Sequence, residues 1–115
     1  MDVQVKRVYE EASADDGLRV LIDRLWPRGV SKEAAAIDWW AKELTPSDEL
    51  RRWFHANTTE RFETFCTRYA AELAALPASA VEGFVGATQV TLVTAVKDIE
   101  HSHVPTLLRY LEQRL

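Results

Sequence analysis

Apolar and polar positions change period several times along the chain, and each change marks an element. Val3 to Val8 reads as a strand with Val3 and Val5 on one face. The acidic stretch from Glu10 to Gly17 ends in Asp15-Asp16-Gly17, a turn signal. Leu18 to Ile22 is a short apolar run between turn signals, as in a central strand. Trp26-Pro27-Arg28-Gly29 must be a loop, because Pro and Gly stand two apart. Ser31 caps a short helix through Ala36, and Asp38 to Leu44 is ambiguous. Thr45-Pro46-Ser47-Asp48 opens a helix with Thr45 as cap and Pro46 in its first position, running to about His55. Asn57-Thr58-Thr59 offers caps for the next helix, whose stripe of Phe62, Phe65, Cys66, Tyr69, Leu73 and Leu76 is the strongest periodicity in the chain. Pro77 stops it, and Ser79 to Phe84 reads as a further short helix. Val90 to Val96 is β-branched and apolar, a buried strand. Pro105 suits a first helical turn, with Leu107, Leu108, Leu111 and Leu115 as the buried stripe of a C-terminal helix.

The two apolar strands, Leu18–Ile22 and Val90–Val96, are separated by helices. That order favours a parallel pairing covered by helices on its faces. The first two strands are close enough in sequence for an antiparallel hairpin, which leaves a mixed sheet open. The expectation is one α/β domain over residues 1–115, a short, mostly parallel sheet covered by helices.

Composition narrows the function classes. The net charge of −4 is unlike that of a protein coating nucleic acid nonspecifically. Cys66 is the only cysteine, so no internal disulfide forms. No apolar run approaches the roughly 20 residues that span a bilayer. The first residues lack the basic-then-apolar pattern of a secretory signal, and a cytoplasmic location is expected.

Two charged clusters follow the two apolar strands. Asp23-Arg24-Leu25-Trp26-Pro27-Arg28-Gly29 follows Ile22, and Lys97-Asp98-Ile99-Glu100-His101-Ser102-His103 follows Val96. Parallel strands would bring both to one carboxyl edge, where open α/β sheets bind ligands. The last helix begins there too, and its free N–H groups favour an anion. Arg24, Arg28 and Lys97 are the candidate anion-holding residues, Trp26 a wall or stacking surface, and His103 the candidate acid–base catalyst. The alternative is structural: Arg24 or Arg28 pairs with Asp23, Asp38 or Asp98 and pins the loop. His101 and His103 with Asp98 and Glu100 form a poor metal set, so neither metal nor cofactor is expected. Cys66 on its apolar stripe reads as core, and Ser47 as structural. Arg51 and His55 share a helix face, by default a solvated one. There is no P-loop, G-x-S-x-G or G-x-G-x-x-G.

With these residues in hand, the chain resembles the YeaO-like family, short bacterial proteins built on a domain of unknown function numbered 488. The likeness runs nearly end to end: Lys6-Arg7-Val8-Tyr9, Gly17, the whole stretch from Asp23 to Gly29, Lys32, Asp38, Trp40, Lys42-Glu43, Pro46-Ser47, Leu50-Arg51, Phe54-His55, Phe65, Tyr69, Glu72-Leu73, Thr91-Leu92, Lys97 and His103. The family often has Asn-His-Ala where this chain has Ser102-His103-Val104. The resemblance supports the fold and the candidate positions and carries no activity with it. Two readings stay open. One is a pocket for a small phosphate- or carboxylate-bearing ligand, with or without enzymatic chemistry on it. The other is a nucleic-acid or protein binding module using Arg7, Arg24, Arg28, Lys32 and the tryptophans. A concave pocket where the two loops meet would favour the first, and a broad flat basic face the second.

Overall fold

A computed structural model describes residues 1–115. Four strands form one sheet: β1 (Asp2–Arg7), β2 (Leu18–Leu21), β3 (Trp39–Trp40) and β4 (Gln89–Thr94). Their spatial order is β1-β4-β2-β3 and every pairing is parallel. The helices are α1 (Lys32–Ala35), α2 (Asp48–His55), α3 (Thr58–Ala74) and α4 (Val104–Arg114), with short 3-10 turns between.

The expected neighbours β2 and β4 do pair, with Val20 opposite Leu92. The hairpin alternative does not occur, because β4 lies between β1 and β2. The reason is burial: Val90 through Thr94 have both faces covered, which places the strand at the centre of the sheet. Side chains then divide by parity. Val20, Ile22, Val90 and Leu92 face a core built with α2, α3 and α4. Val93 faces a smaller cluster with Val8 and Ala35, closed by Trp26, Val30 and Ile37. Cys66 packs half-buried against the larger core.

Gly17 makes the turn into β2 with φ of 64°, and a Cβ there would meet the Gln89 carbonyl oxygen at 2.2 Å. The second helix starts later than its sequence suggests. Thr45 donates its hydroxyl back to the Lys42 carbonyl, so Ser47 becomes the cap and accepts from the Leu50 N–H. Ser47 also donates to Glu72 on α3 at 2.6 Å, which fixes how α2 is rotated against the core. Ser31 and Asn57 cap α1 and α3 as expected. Strand β4 ends at Thr94, two residues short of the apolar run. On α4 the buried set is Val104, Thr106, Leu107, Tyr110 and Leu111; Leu108 is half-buried and Leu115 is exposed. No helix is long and apolar enough to cross a membrane.

Candidate functional site

Because β2 and β4 are parallel, the segments that leave them emerge at the same carboxyl edge. Asp23 lies one residue beyond Ile22 and ties the two together. The Thr94 hydroxyl donates to one of its carboxylate oxygens at 2.6 Å and the Ala95 N–H to the other at 2.7 Å. Burial alone would raise the Asp23 pKa, but His103, the Thr94 hydroxyl and the Ala95 N–H together hold it below the usual carboxylate value. The Asp23 carbonyl accepts from the Trp40 indole, so β3 is drawn into the same junction.

His103 stands at the start of α4 and is buried. Its Nε2 lies 2.7 Å from the Ile22 carbonyl oxygen and 3.4 Å from Asp23. A carbonyl oxygen can only accept, so Nε2 carries a proton and donates it there. The ring therefore straps the exit of β2 to the start of α4, and only Nδ1 is left for chemistry. His101 is held apart from it: its Nδ1 is 2.9 Å from the exposed Asp98, and its ring meets the edge of Phe62. No group of three or more His, Cys, Asp or Glu is placed to hold a metal ion.

Above this junction is a cavity of about 300 Å³. Its apolar floor includes Phe54 and Phe65, stacked 4.1 Å apart, and its wall includes Trp26 and the buried Pro27 and Pro46. Trp26 is held in place by an indole hydrogen bond to the Val30 carbonyl and by edge contact with Trp40. The rim is cationic: Arg24, Arg28 and Arg51 all line the cavity, with His55 and His103. Thus four sequence candidates, Arg24, Trp26, Arg28 and His103, come together. Lys97 is exposed and lies outside the cavity lining.

The anticipated structural pairing of the arginines takes another form. Asp23 serves Thr94, Ala95 and His103; Asp38 accepts from the Arg19 backbone N–H; Asp98 faces His101. Arg24 and Arg51 instead share one oxygen of the half-exposed Asp48, at 3.4 and 3.7 Å. The Nε of Arg51 is buried and donates to no acceptor. Arg28 is exposed and makes no ion pair within 4 Å. The His55 pKa is lowered by burial first, then by Arg51 and His103. Arg51 and His55 both line the cavity; Arg51 is half-buried, against the solvated-face default, while His55 is exposed, in keeping with it. Their four-residue spacing showed that they share a face, but not that Ser47 and Glu72 turn that face onto the cavity.

These features define a small α/β domain of one parallel sheet, with an arginine-rimmed pocket at its carboxyl edge. The chain belongs to the DUF488 family: the sequence profile described as the inactive DUF488-N3 subclade matches residues 2–115. An uncharacterised protein of Mycobacterium tuberculosis (strain ATCC 25618 / H37Rv) is 42% identical over 113 residues, covering 97% of this chain and 95% of that protein. An uncharacterised protein of Mycobacterium bovis shows the same identity and coverage. The uncharacterised protein YeaO of Escherichia coli (strain K12) is 53% identical over 74 residues, 64% of each chain. No solved structure matches.

Proposed function

We propose that the pocket binds a small molecule bearing a phosphate or carboxylate, and binds it without turning it over. Arg24, Arg28 and Arg51 are its counter-charges and Trp26 and Phe54 its apolar walls. Arg51 carries the reading. Its Nε is buried and unpaired, and its terminal nitrogen shares a distant Asp48 oxygen with Arg24. An unmade hydrogen bond from a buried charged donor costs about 1–3 kcal/mol or more. Clustering guanidinium groups adds about 1 kcal/mol or more of repulsion per close pair. An anion between them offsets both.

Binding without reaction is supported by the description of the matching subclade as inactive. The cavity is concave and sized for a small ligand, which favours this reading over a basic-aromatic module for nucleic acid. Arg7, needed for such a patch, donates instead to the Ala95 and Val96 carbonyls. A cytoplasmic setting, with its phosphorylated and carboxylated metabolites, fits the proposal.

The test is a thermal-shift series with inorganic phosphate, phenyl phosphate and benzoate on the wild-type chain and on Arg51→Leu. Native-state binding raises Tm as ligand concentration rises. A shift in the wild type that is lost in Arg51→Leu supports the site. No shift with any of the three at millimolar concentration, or an equal shift in the variant, overturns it.

A further inference from the structure

We infer that two copies of this chain pair through β1, antiparallel and centred on Gln4, to make one continuous eight-stranded sheet. The two free edges of the sheet are unequal. The β3 edge is two residues long, whereas β1 exposes a six-residue strand. At the two ends of β1, the Asp2 N–H bonds to the Thr88 carbonyl just before β4 at 2.9 Å and the Val8 N–H to the Thr94 carbonyl at its end at 2.8 Å. Strand alternation therefore turns the N–H and C=O of Val3, Val5 and Arg7 outward. Arg7 is closed off by Glu10: its N–H donates to the Glu10 carboxylate and its carbonyl accepts the Glu10 N–H. Val3 and Val5 have no such cover, and unpaired edge groups of this kind are a template for another strand.

The same half of the edge is apolar. Met1, Val3, Leu108, Leu111 and Leu115 line one shallow groove between β1 and α4, with Met1, Val3 and Leu115 exposed. A second copy fits this surface better than an unrelated partner, because the strand is complementary to itself. A two-fold axis through Gln4 sets Val3 opposite Val5 of the other copy. Both residues have outward backbone groups, so they make paired hydrogen bonds. The same axis sets the Asp2 carboxylate opposite Lys6 on the far face, twice; the ammonium already bonds Asp16 and the Glu11 carbonyl and keeps its third donor for the carboxylate across the strand pair. It also brings the two grooves together on the α4 side, each covering the other.

The test is the mass of the full chain in solution, by light scattering and sedimentation equilibrium. The expected mass is twice that of one chain. Val3→Lys places a charge in the shared apolar face, at a position already exposed. Val5→Pro removes an outward N–H while leaving the β4 ladder intact, which an edge strand tolerates. Each should weaken association by about tenfold or more. The register is read by oxidation in a Cys66→Ser background. Gln4→Cys sits on the axis in a closely spaced non-hydrogen-bonded pair and should close a disulfide between copies. A monomeric wild type overturns the inference. So does a dimer indifferent to both edge variants, or one that Val3→Cys locks and Gln4→Cys does not.

Discussion

Two clusters of charge lie on this small sheet, and they are built on opposite plans. The first surrounds Asp16, just before β2. Its carboxylate accepts from Lys6 at 2.9 Å, Arg19 at 2.6 Å, Gln4 at 3.2 Å and the Ser13 N–H at 3.0 Å. The Nε of Arg19 donates to the Ala35 and Ala36 carbonyls and its Nη2 to that of Ala35. Asp16 and Arg19 are both buried, and their charges answer one another. The second cluster, at the other end of the strands, sets Arg24 and Arg51 on one half-exposed aspartate, adds an unpaired Arg28 to the same cavity lining, and leaves a buried guanidinium nitrogen unpaired. A closed network of this kind joins β1, β2 and the turn before them. The open one has capacity for a charge from outside.

The comparison is most sharply tested by breaking the closed cluster. Asp16→Ala strands the buried Arg19 and should cost about 3–5 kcal/mol of stability, the range for losing one partner of a buried pair. Urea denaturation reads it directly; a loss below about 1 kcal/mol would show that the cluster is not a structural tie. Acid does the same reversibly. The hydrogen bond from Lys6 is the largest influence on Asp16; with the Ser13 N–H and Arg19 it outweighs burial and lowers the pKa from 3.8 to about 2. A carboxyl group depressed on folding stabilises fully above its unfolded pKa and loses that stabilisation as pH falls through the folded value. Stability should therefore drop between about pH 4 and pH 2 in the wild type. Asp16→Asn should lack that part of the slope.

Much of the closed cluster's frame was legible in the sequence, and less of the open one. The Asp15-Asp16-Gly17 turn and the pairing of β2 with β4 follow from local pattern: glycine where φ is positive, and β-branched runs with both faces apolar. The position of β1 did not follow, because nearness in sequence suggests a hairpin and the insertion of β4 is a matter of long-range burial. At the open site, Arg24, Trp26 and Arg28 were legible because their loop is short and leaves a central strand. Lys97 was misjudged for the complementary reason. Val96 still lines the cavity while Lys97, the next residue, is exposed and outside it: following a central strand fixes where a loop begins, not which way each of its side chains points. Arg51 required the rotation of α2, which depends on a hydrogen bond to Glu72, 25 residues on.

Removing a charge from the open cluster should have little effect on the fold. Arg28 is exposed and has no ion pair, so Arg28→Ala should change stability by no more than about 0.5 kcal/mol in either direction. The same variant should weaken anion binding by about tenfold or more, since a charge-assisted hydrogen bond is worth about 1.5–3 kcal/mol. Urea denaturation and titration calorimetry on one preparation separate the two effects. A stability loss near that of Asp16→Ala would make the two clusters alike and end the contrast.

The finest test is the titration of His55, which reports the charge in the pocket without altering it. His55 is on the rim, and its pKa lies below 6.5 because burial disfavours the imidazolium and Arg51 and His103 repel it. The unfolded chain therefore takes up this proton at higher pH than the folded one. His55 accordingly subtracts a little stability as pH falls below about 6.5, the opposite sense to a histidine paired with a carboxylate. A bound anion would cancel part of the Arg51 field and favour the imidazolium. The His55 ring resonances should thus titrate below 6.5 in the free protein and move upward when phosphate is added. By linkage, phosphate should bind more tightly as His55 becomes protonated. In Arg51→Leu the free-protein value should already be higher, and the response to phosphate smaller. A His55 midpoint that phosphate leaves unmoved in the wild type would mean that the anion does not enter between these arginines, whatever else on the surface it binds.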